Sequence, residues 1–351
     1  MTSEQTYPSV FKVGLVQMSP KPLDPAYNFS VAVAHIQDAA SQGASLVVLP
    51  EYHLTSWVPD DPKFASLASK AWDYTLKYQE IAKDLNINIV PGTIVTTDPN
   101  STSNSKAPQQ EIPKPDADDF AILEGGSASA PLLFNVAPFI SQTGELLGLY
   151  TKANLWLPER EYLTAHPPVS PPASTTTTTT TTTTTGTRPA AREPHNSSSS
   201  SRHSVIQTPL GPVGILTCWD LAFPEAFRAL IRQGARMIII PSFWLNTDIP
   251  LEARKYSEDT ESTFLRATLV SRAFENTCAV VFCNAGGPAE EGYIGLSQVA
   301  MPLLGVVPGS FAGPEAGMRI VEVDMNAVDI AETAYGVRAD LANPDWHYGD
   351  G

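Results

Sequence analysis

From Gly211 to Glu225 the chain reads Gly-Pro-Val-Gly-Ile-Leu-Thr-Cys-Trp-Asp-Leu-Ala-Phe-Pro-Glu. The apolar run Val213 to Thr217 predicts a buried strand that stops at Cys218. A helix is expected within a few residues, since Pro224 suits a first turn and Glu225 suits a helix N-terminus. So abrupt a change from strand to helix demands a sharp turn between packed layers, as in α/β architectures. The turn would set a thiol beside unpaired backbone N–H groups, a setting that lowers a thiol pKa and can hold an oxyanion. A buried structural cysteine is the competing reading.

Two further segments share the pattern. Leu46-Val-Val-Leu49-Pro-Glu51-Tyr52 is an apolar strand ending in a carboxylate, and Gly148-Leu-Tyr-Thr-Lys152 is a strand ending in a lysine. Both charges are expected where a parallel strand leaves the core, and ligand sites of open α/β sheets lie at carboxyl ends of strands. A lone charge there is ordinarily a solvated strand end. Three strand ends carrying Glu51, Lys152 and Cys218 are harder to assign to solvation alone.

Strand and helix signals alternate along the rest. Strands are predicted over 11–17, 46–49, 87–95, 132–140, 146–150, 204–207, 213–217, 237–240, 279–284 and 320–323. Helices are predicted over 28–42, 63–85, 223–233 and 258–276. The long helix 63–85 carries Phe64, Leu67, Ala71, Tyr74, Tyr78, Ile81 and Leu85 on one stripe, which reads as core packing. From Ala331 onward the chain reads as a polar tail with Trp346 and Tyr348, suited to a neighbouring subunit. Residues 98–130 are rich in Pro, Ser, Asp and Gly, and residues 165–204 hold the unbroken run Thr175–Thr185 and the run Ser197–Ser201. Neither has apolar periodicity, so both read as insertions outside the core.

The 351 residues suffice for one large α/β domain. A net charge of −15, from 22 basic and 37 acidic residues, argues against nucleic acid or an anionic membrane as partner. No apolar run is long enough to span a bilayer and no secretory leader is visible, which points to a cytoplasmic protein. The cysteines Cys218, Cys278 and Cys283 form no disulfide or metal spacing, and Cys278 and Cys283 read as buried strand residues. His53 is a candidate for a pocket wall. No HExxH, CxxC or phosphate-loop motif calls for a metal or nucleotide.

The combination of Pro50-Glu51, Lys152, Cys218-Trp219-Asp220, Phe223-Pro224-Glu225, Arg272-Ala-Phe-Glu275-Asn276 and Gly295-Leu-Ser297 resembles the nitrilase, or carbon–nitrogen hydrolase, superfamily. The resemblance covers most of residues 10–345. It implies a single domain over 8–345 followed by a tail at 346–351. The implied fold is a four-layer α-β-β-α sandwich, with subunits stacking as a homodimer or a higher homo-oligomer. It implies hydrolysis of a non-peptide C–N bond in a small amide through a cysteine thioester without any cofactor. A nitrilase acting on a C≡N group, a non-catalytic binding protein and an acyl transferase on the same fold are the alternatives. Cys218 would be the nucleophile and Glu51 the acid–base. Lys152 would hold the oxyanion together with the Trp219 N–H. Relatives add a second glutamate shortly after the lysine. Glu159 is the expected residue, directly after Pro158, and Glu161 is the alternative. Arg272, Glu275 and Asn276 are expected as structural supports. Tyr52, Trp156, Trp219, Phe243, Trp244 and Asn284 are candidates for the substrate pocket. In the resemblance nitrilases more often carry Trp-Glu after the cysteine and amidases Tyr-Asp. Trp219-Asp220 matches neither, and Asp220 with Phe223-Pro224-Glu225 leans toward the amidases.

Overall fold

The computed structural model describes residues 7–97, 131–165, 203–343 and 345–347. The insertion 98–130, all of 165–204 except Ala165, His203 and Ser204, and Tyr348 lie outside the described residues.

The first half of the chain supplies strands β1 (Val10–Gln17), β2 (Leu46–Val48), β3 (Asn88–Val90), β4 (Ile94–Thr96), β5 (Phe134–Ile140) and β6 (Leu146–Thr151). The second half supplies β7 (Ile206–Thr208), β8 (Gly211–Ile215), β9 (Met237–Ser242), β10 (Ala279–Asn284), β11 (Gln298–Met301), β12 (Gly305–Val306) and β13 (Gly317–Asp324). One sheet runs β13-β1-β2-β3-β5-β4, with β6 also on β5, and the other runs β12-β11-β10-β9-β8-β7. The helices are α1 (Pro25–Ser41), α2 (Pro62–Ala68), α3 (Trp72–Leu85), α4 (Pro224–Arg232), α5 (Leu251–Arg254), α6 (Thr260–Glu275), α7 (Asn326–Tyr335) and α8 (Val337–Ala342).

The period-2 alternation of a strand sorts its residues between two cores. In β2, Leu46 and Val48 face the second sheet, whereas Val47 and the following Leu49 pack with Ala32, Ile36, Tyr78 and Ala82 of α1 and α3. On the other side, Phe227 and Leu230 of α4 and Leu265 and Leu269 of α6 cover the second sheet. The expected four-layer α-β-β-α order is thus the observed one. The Cys283 thiol, on β10, spans the two sheets by donating to Val16 O at 3.2 Å and Val48 O at 3.1 Å. Cys278 is equally buried, and burial pushes its thiol up to about 12.

Four expectations need correction. The helix predicted over 63–85 is two helices, because its apolar residues serve two targets. Phe64 and Ala68 pack with Tyr52, Leu155 and Leu163, while Tyr78 and Ala82 pack on β2 and α1. Hydroxyls of Ser66 and Ser69 bond to carbonyls three residues back, which favours a break there. The strand predicted over 87–95 is also split, because Pro91-Gly92-Thr93 passes under the loop that carries Glu51. Tyr52 N–H donates to Thr93 Oγ1 at 3.1 Å. The stretch from Ala331 onward is not simply a tail: α7 buries Val328 and Ala331, Gly336 (φ 64°) ends it, and α8 follows. Finally, Lys152 does not end a strand of a parallel pair. β6 is antiparallel to β5, which is antiparallel to β3, so β6 still points the same way as β2.

Gly92 shows how tight the crossing is. Its φ is 67°, and a Cβ there would lie 1.9 Å from Pro50 O. Gly43 has a similar φ of 78° but open space around it. Gly92→Ala should therefore cost roughly 2–4 kcal/mol, from backbone strain plus overpacking, and Gly43→Ala only about 1 kcal/mol. Urea unfolding of the two variants checks this, and equal costs would show that the Gly92 crossing is not tight.

Candidate active site

The ends of β2, β6 and β8 converge on one point. β8 pairs in parallel with β9 and stops at Ile215, and Leu216-Thr217 carries the chain on to Cys218. Cys218 has φ 46°, a left-handed conformation that strains a residue with a side chain, and it opens a 3-10 turn over Cys218–Ala222. Pro224 then starts α4. The first N–H groups of such a turn, that of Trp219 included, lack partners within the helix. Tyr52, next to Glu51, has φ 52°. Two strained residues at one place mark where packing over-determines the backbone.

Asp220 locks the Cys218 turn to the Lys152 strand. One of its oxygens accepts from Thr217 N–H at 2.9 Å and Tyr150 OH at 2.8 Å. The other accepts from Asn154 N–H at 2.9 Å and Asn154 Nδ2 at 2.8 Å. Arg272 of α6 adds a bond to Leu221 O at 3.3 Å and an ion pair with Glu275 at 2.8 Å, and Asn276 Nδ2 donates to Arg272 O at 2.9 Å.

Lys152 is almost fully buried at 1 % exposure. Its Nζ lies 2.8 Å from Glu51 Oε1 and 2.6 Å from Glu159 Oε1. Glu51 also accepts from Asn135 Nδ2 at 2.7 Å and from Phe243 N–H at 3.0 Å. Glu159 accepts from Tyr52 OH and from Trp156 N–H at 2.8 Å. Burial works against the Lys152 charge, but Glu159 and Glu51 outweigh it and hold the ammonium well above its ordinary pKa. Burial, opposed by Lys152, holds Glu51 above the usual carboxylate range. The Cys218 thiol is raised well above its ordinary value by burial and by Glu51, with Lys152 opposing. Glu161 is exposed, on the same 3-10 turn as the buried Glu159.

A cavity of about 160 Å³ opens on this cluster. Glu51, Glu159 and Cys218 line it, as do the expected Tyr52, Trp156, Trp219, Phe243 and Trp244. Lys152 stands behind Glu51 and Glu159 rather than in the wall. Two expectations are corrected here. Asn284 is not in the wall: it sits behind Trp244, accepting from its N–H at 2.7 Å and donating to its carbonyl at 3.0 Å. His53 is also absent from the wall. It is buried against Tyr78 OH at 2.9 Å, and burial lowers it to about 3. Sequence reading missed Trp57, Asp248 and Glu261, which also line the cavity. It also missed Asn135, whose signal was a polar residue inside the apolar strand Leu132 to Ile140. Among the described residues no group of three or more His, Cys, Asp or Glu side chains is arranged to hold a metal. No described helix is long and apolar enough to cross a membrane.

Comparison with known proteins agrees with this architecture. The chain is 25% identical to a nitrilase of Pyrococcus abyssi over 322 residues, 90% of this chain and 91% of that one. It superposes on Nit3 of Saccharomyces cerevisiae, a member of branch 10 of the nitrilase superfamily, with a TM-score of 0.64 and 19% identity, covering 94% and 95% of the two chains. It superposes on an amidase from Nesterenkonia sp. with a TM-score of 0.61 and 19% identity over 94% and 96% of the chains. The family model described as carbon–nitrogen hydrolase matches residues 12–333, and the chain belongs to that family.

Proposed function

We propose that this protein is a thiol amidase that cleaves the C–N bond of a small amide through a thioester on Cys218. The observation that carries the reading is the buried Lys152 held between Glu51 and Glu159, immediately behind the cavity where Cys218 stands on a strained turn. At rest the thiol is neutral, because burial and the nearby carboxylate oppose a second anion. It therefore needs a base within the site. Glu51, held above the usual carboxylate range, is basic enough to take the thiol proton and acidic enough to return it to the departing amine. Glu51 then activates water against the thioester. Lys152 supplies the positive field that stabilises the thiolate, and with the Trp219 N–H it stabilises the tetrahedral oxyanion. Glu159 keeps Lys152 charged and aimed. Its bond from Trp156 N–H couples that aim to the cavity wall.

The aromatic wall excludes water and favours an acyl group of low polarity next to the reacting carbon. A nitrile could react with the same thiol, and the relationship to a nitrilase makes this the second reading. A panel of amides, carbamoyl amines and nitriles scored for ammonia release separates the two. Turnover of nitriles alone would overturn the amidase reading. For the assembly we infer a homodimer. Exposed Phe274, Leu303, Leu304, Val306 and Tyr335 on and beside α6 support that inference.

Cys218→Ala should abolish turnover while leaving the unfolding midpoint nearly unchanged, and full activity would overturn the mechanism. In the wild type, iodoacetamide should modify Cys218 far faster than the core-buried Cys278 or Cys283, and Glu51→Gln should slow the modification of Cys218. Glu159→Gln should lower kcat by about 100-fold or more through loss of Lys152 alignment, whereas Glu161→Gln should be nearly silent. The reverse result would move the second carboxylate to Glu161.

The pH profile follows from Glu51. The base must be ionised, and its folded pKa is raised, so kcat/KM should fall as pH drops through a value above that of free glutamate, about 4.3. An acid limb at or below that value would remove Glu51 from the role of base.

A further inference from the structure

Two acidic groups in the active-site cavity have no task in the chemistry above. Asp248 and Glu261 line the same cavity as Cys218. Each commits one oxygen locally. Asp248 Oδ2 accepts from Leu245 N–H at 2.9 Å, and Glu261 Oε2 accepts from the Trp244 indole N–H at 2.5 Å. Among the described residues the second oxygen of each has no hydrogen-bond partner, and neither carboxylate pairs with a cationic side chain. Glu261 as a whole residue is only 8 % exposed.

The charge balance of that space is one-sided. Glu51, Glu159, Asp248 and Glu261 are its carboxylates, and Lys152 is already bonded to the first two. A neutral tail entering the cavity would strip water from Asp248 and Glu261 and offer nothing in return. An anionic tail would add repulsion. A protonated amine would answer both carboxylates with charge-assisted hydrogen bonds. The indole rings that share the cavity wall with them fit the same ligand class. Trp219 and Trp244 stand with ring centroids 5.5 Å apart, and Trp57 and Trp156 complete the wall. Indole faces attract desolvated ammonium groups.

Building on the amidase reading, we propose that Asp248 and Glu261 bind the far end of the substrate and select amides whose acyl chain carries a protonated amine. Burial pushes Asp248 up to about 7, with Glu261 and Glu51 adding to the shift and Leu245 N–H and Lys152 opposing it. Specificity is then divided within one cavity: aromatic rings hold the methylene chain and the two carboxylates hold its charged end.

The test compares three amides of similar length: 5-aminopentanamide, hexanamide, in which a methyl replaces the ammonium, and glutaramate, which ends in a carboxylate. The wild type should favour the amino amide over hexanamide by about 30-fold or more in kcat/KM, and glutaramate should be the poorest. Asp248→Asn and Glu261→Gln should each shrink that ratio, mainly by raising KM for the amino amide. The double variant should bring the ratio near one and improve glutaramate relative to hexanamide. Each ratio is taken within one preparation, so partial unfolding cancels. Hexanamide matching or exceeding the amino amide in the wild type, or an unchanged ratio in the double variant, would overturn this proposal and leave the amidase reading standing. Failure of every amide, with no acyl group found on Cys218 by mass spectrometry, would remove the amidase reading and this inference with it.

Discussion

The buried ammonium of Lys152 is the constraint around which the rest of the site is arranged. An unpaired charge at such depth costs several kcal/mol, and removing one partner of a buried ion pair typically costs about 3–5 kcal/mol. Lys152 is tolerable only because Glu51 at 2.8 Å and Glu159 at 2.6 Å meet it. The carboxylates in turn need Asn135, Tyr52 and the N–H groups of Trp156 and Phe243. These groups come from β5, the loops after β2 and β9, and the 3-10 turn after β6. Each segment is therefore fixed in relation to the others by one electrostatic requirement.

The two strained residues follow from this requirement. Tyr52 and Cys218 hold positive φ values of 52° and 46°, conformations that cost energy for residues with side chains. Asp220 holds the Cys218 turn with four accepted hydrogen bonds, two of them from Asn154, just beyond Lys152. The thiol and the ammonium are thus tied together by a carboxylate that does not line the cavity. On the opposite side, the Pro50–His53 loop rests on Gly92, whose missing side chain leaves room for Pro50 O. The site is rigid because strand ends, and not a free loop, carry its reactive groups.

The cavity joins opposite demands. Its aromatic wall lowers the local dielectric, which on the proposed mechanism strengthens the field of Lys152 on the reacting carbon. The same low dielectric makes every unpaired carboxylate costly. Near the thiol that cost is met by Lys152. At Asp248 and Glu261 the described residues offer only Leu245 N–H and the Trp244 indole. On the proposed reading, catalysis and selectivity both depend on the same physical quantity, the balance of buried charge.

Much of the architecture was legible in the amino-acid order. Alternating apolar runs marked the α/β layers, because burial imposes a period of 2 on strands and 3.6 on helices. Glu51, Lys152 and Cys218 stood out because each follows an apolar run with a group that does not belong in a core. Pro224 marked a helix start through backbone geometry that no partner needs to supply. What depended on partners was not legible. The break between α2 and α3 arises because Phe64 and Tyr78 pack on different neighbours. Glu159 was the expected neighbour of Lys152, but what separates it from Glu161, the side of a 3-10 turn that faces the core, is visible only in the fold. Asn284 and His53 look like pocket residues beside Glu51 and the β10 end, yet both turn inward to satisfy buried partners. Asp248 and Glu261 carry no motif at all. The sequence by itself determined the layers and the three strand ends, because these depend on local pattern. Only the tertiary structure decided which polar side chains share a cavity, because that depends on long-range packing of segments far apart in the chain.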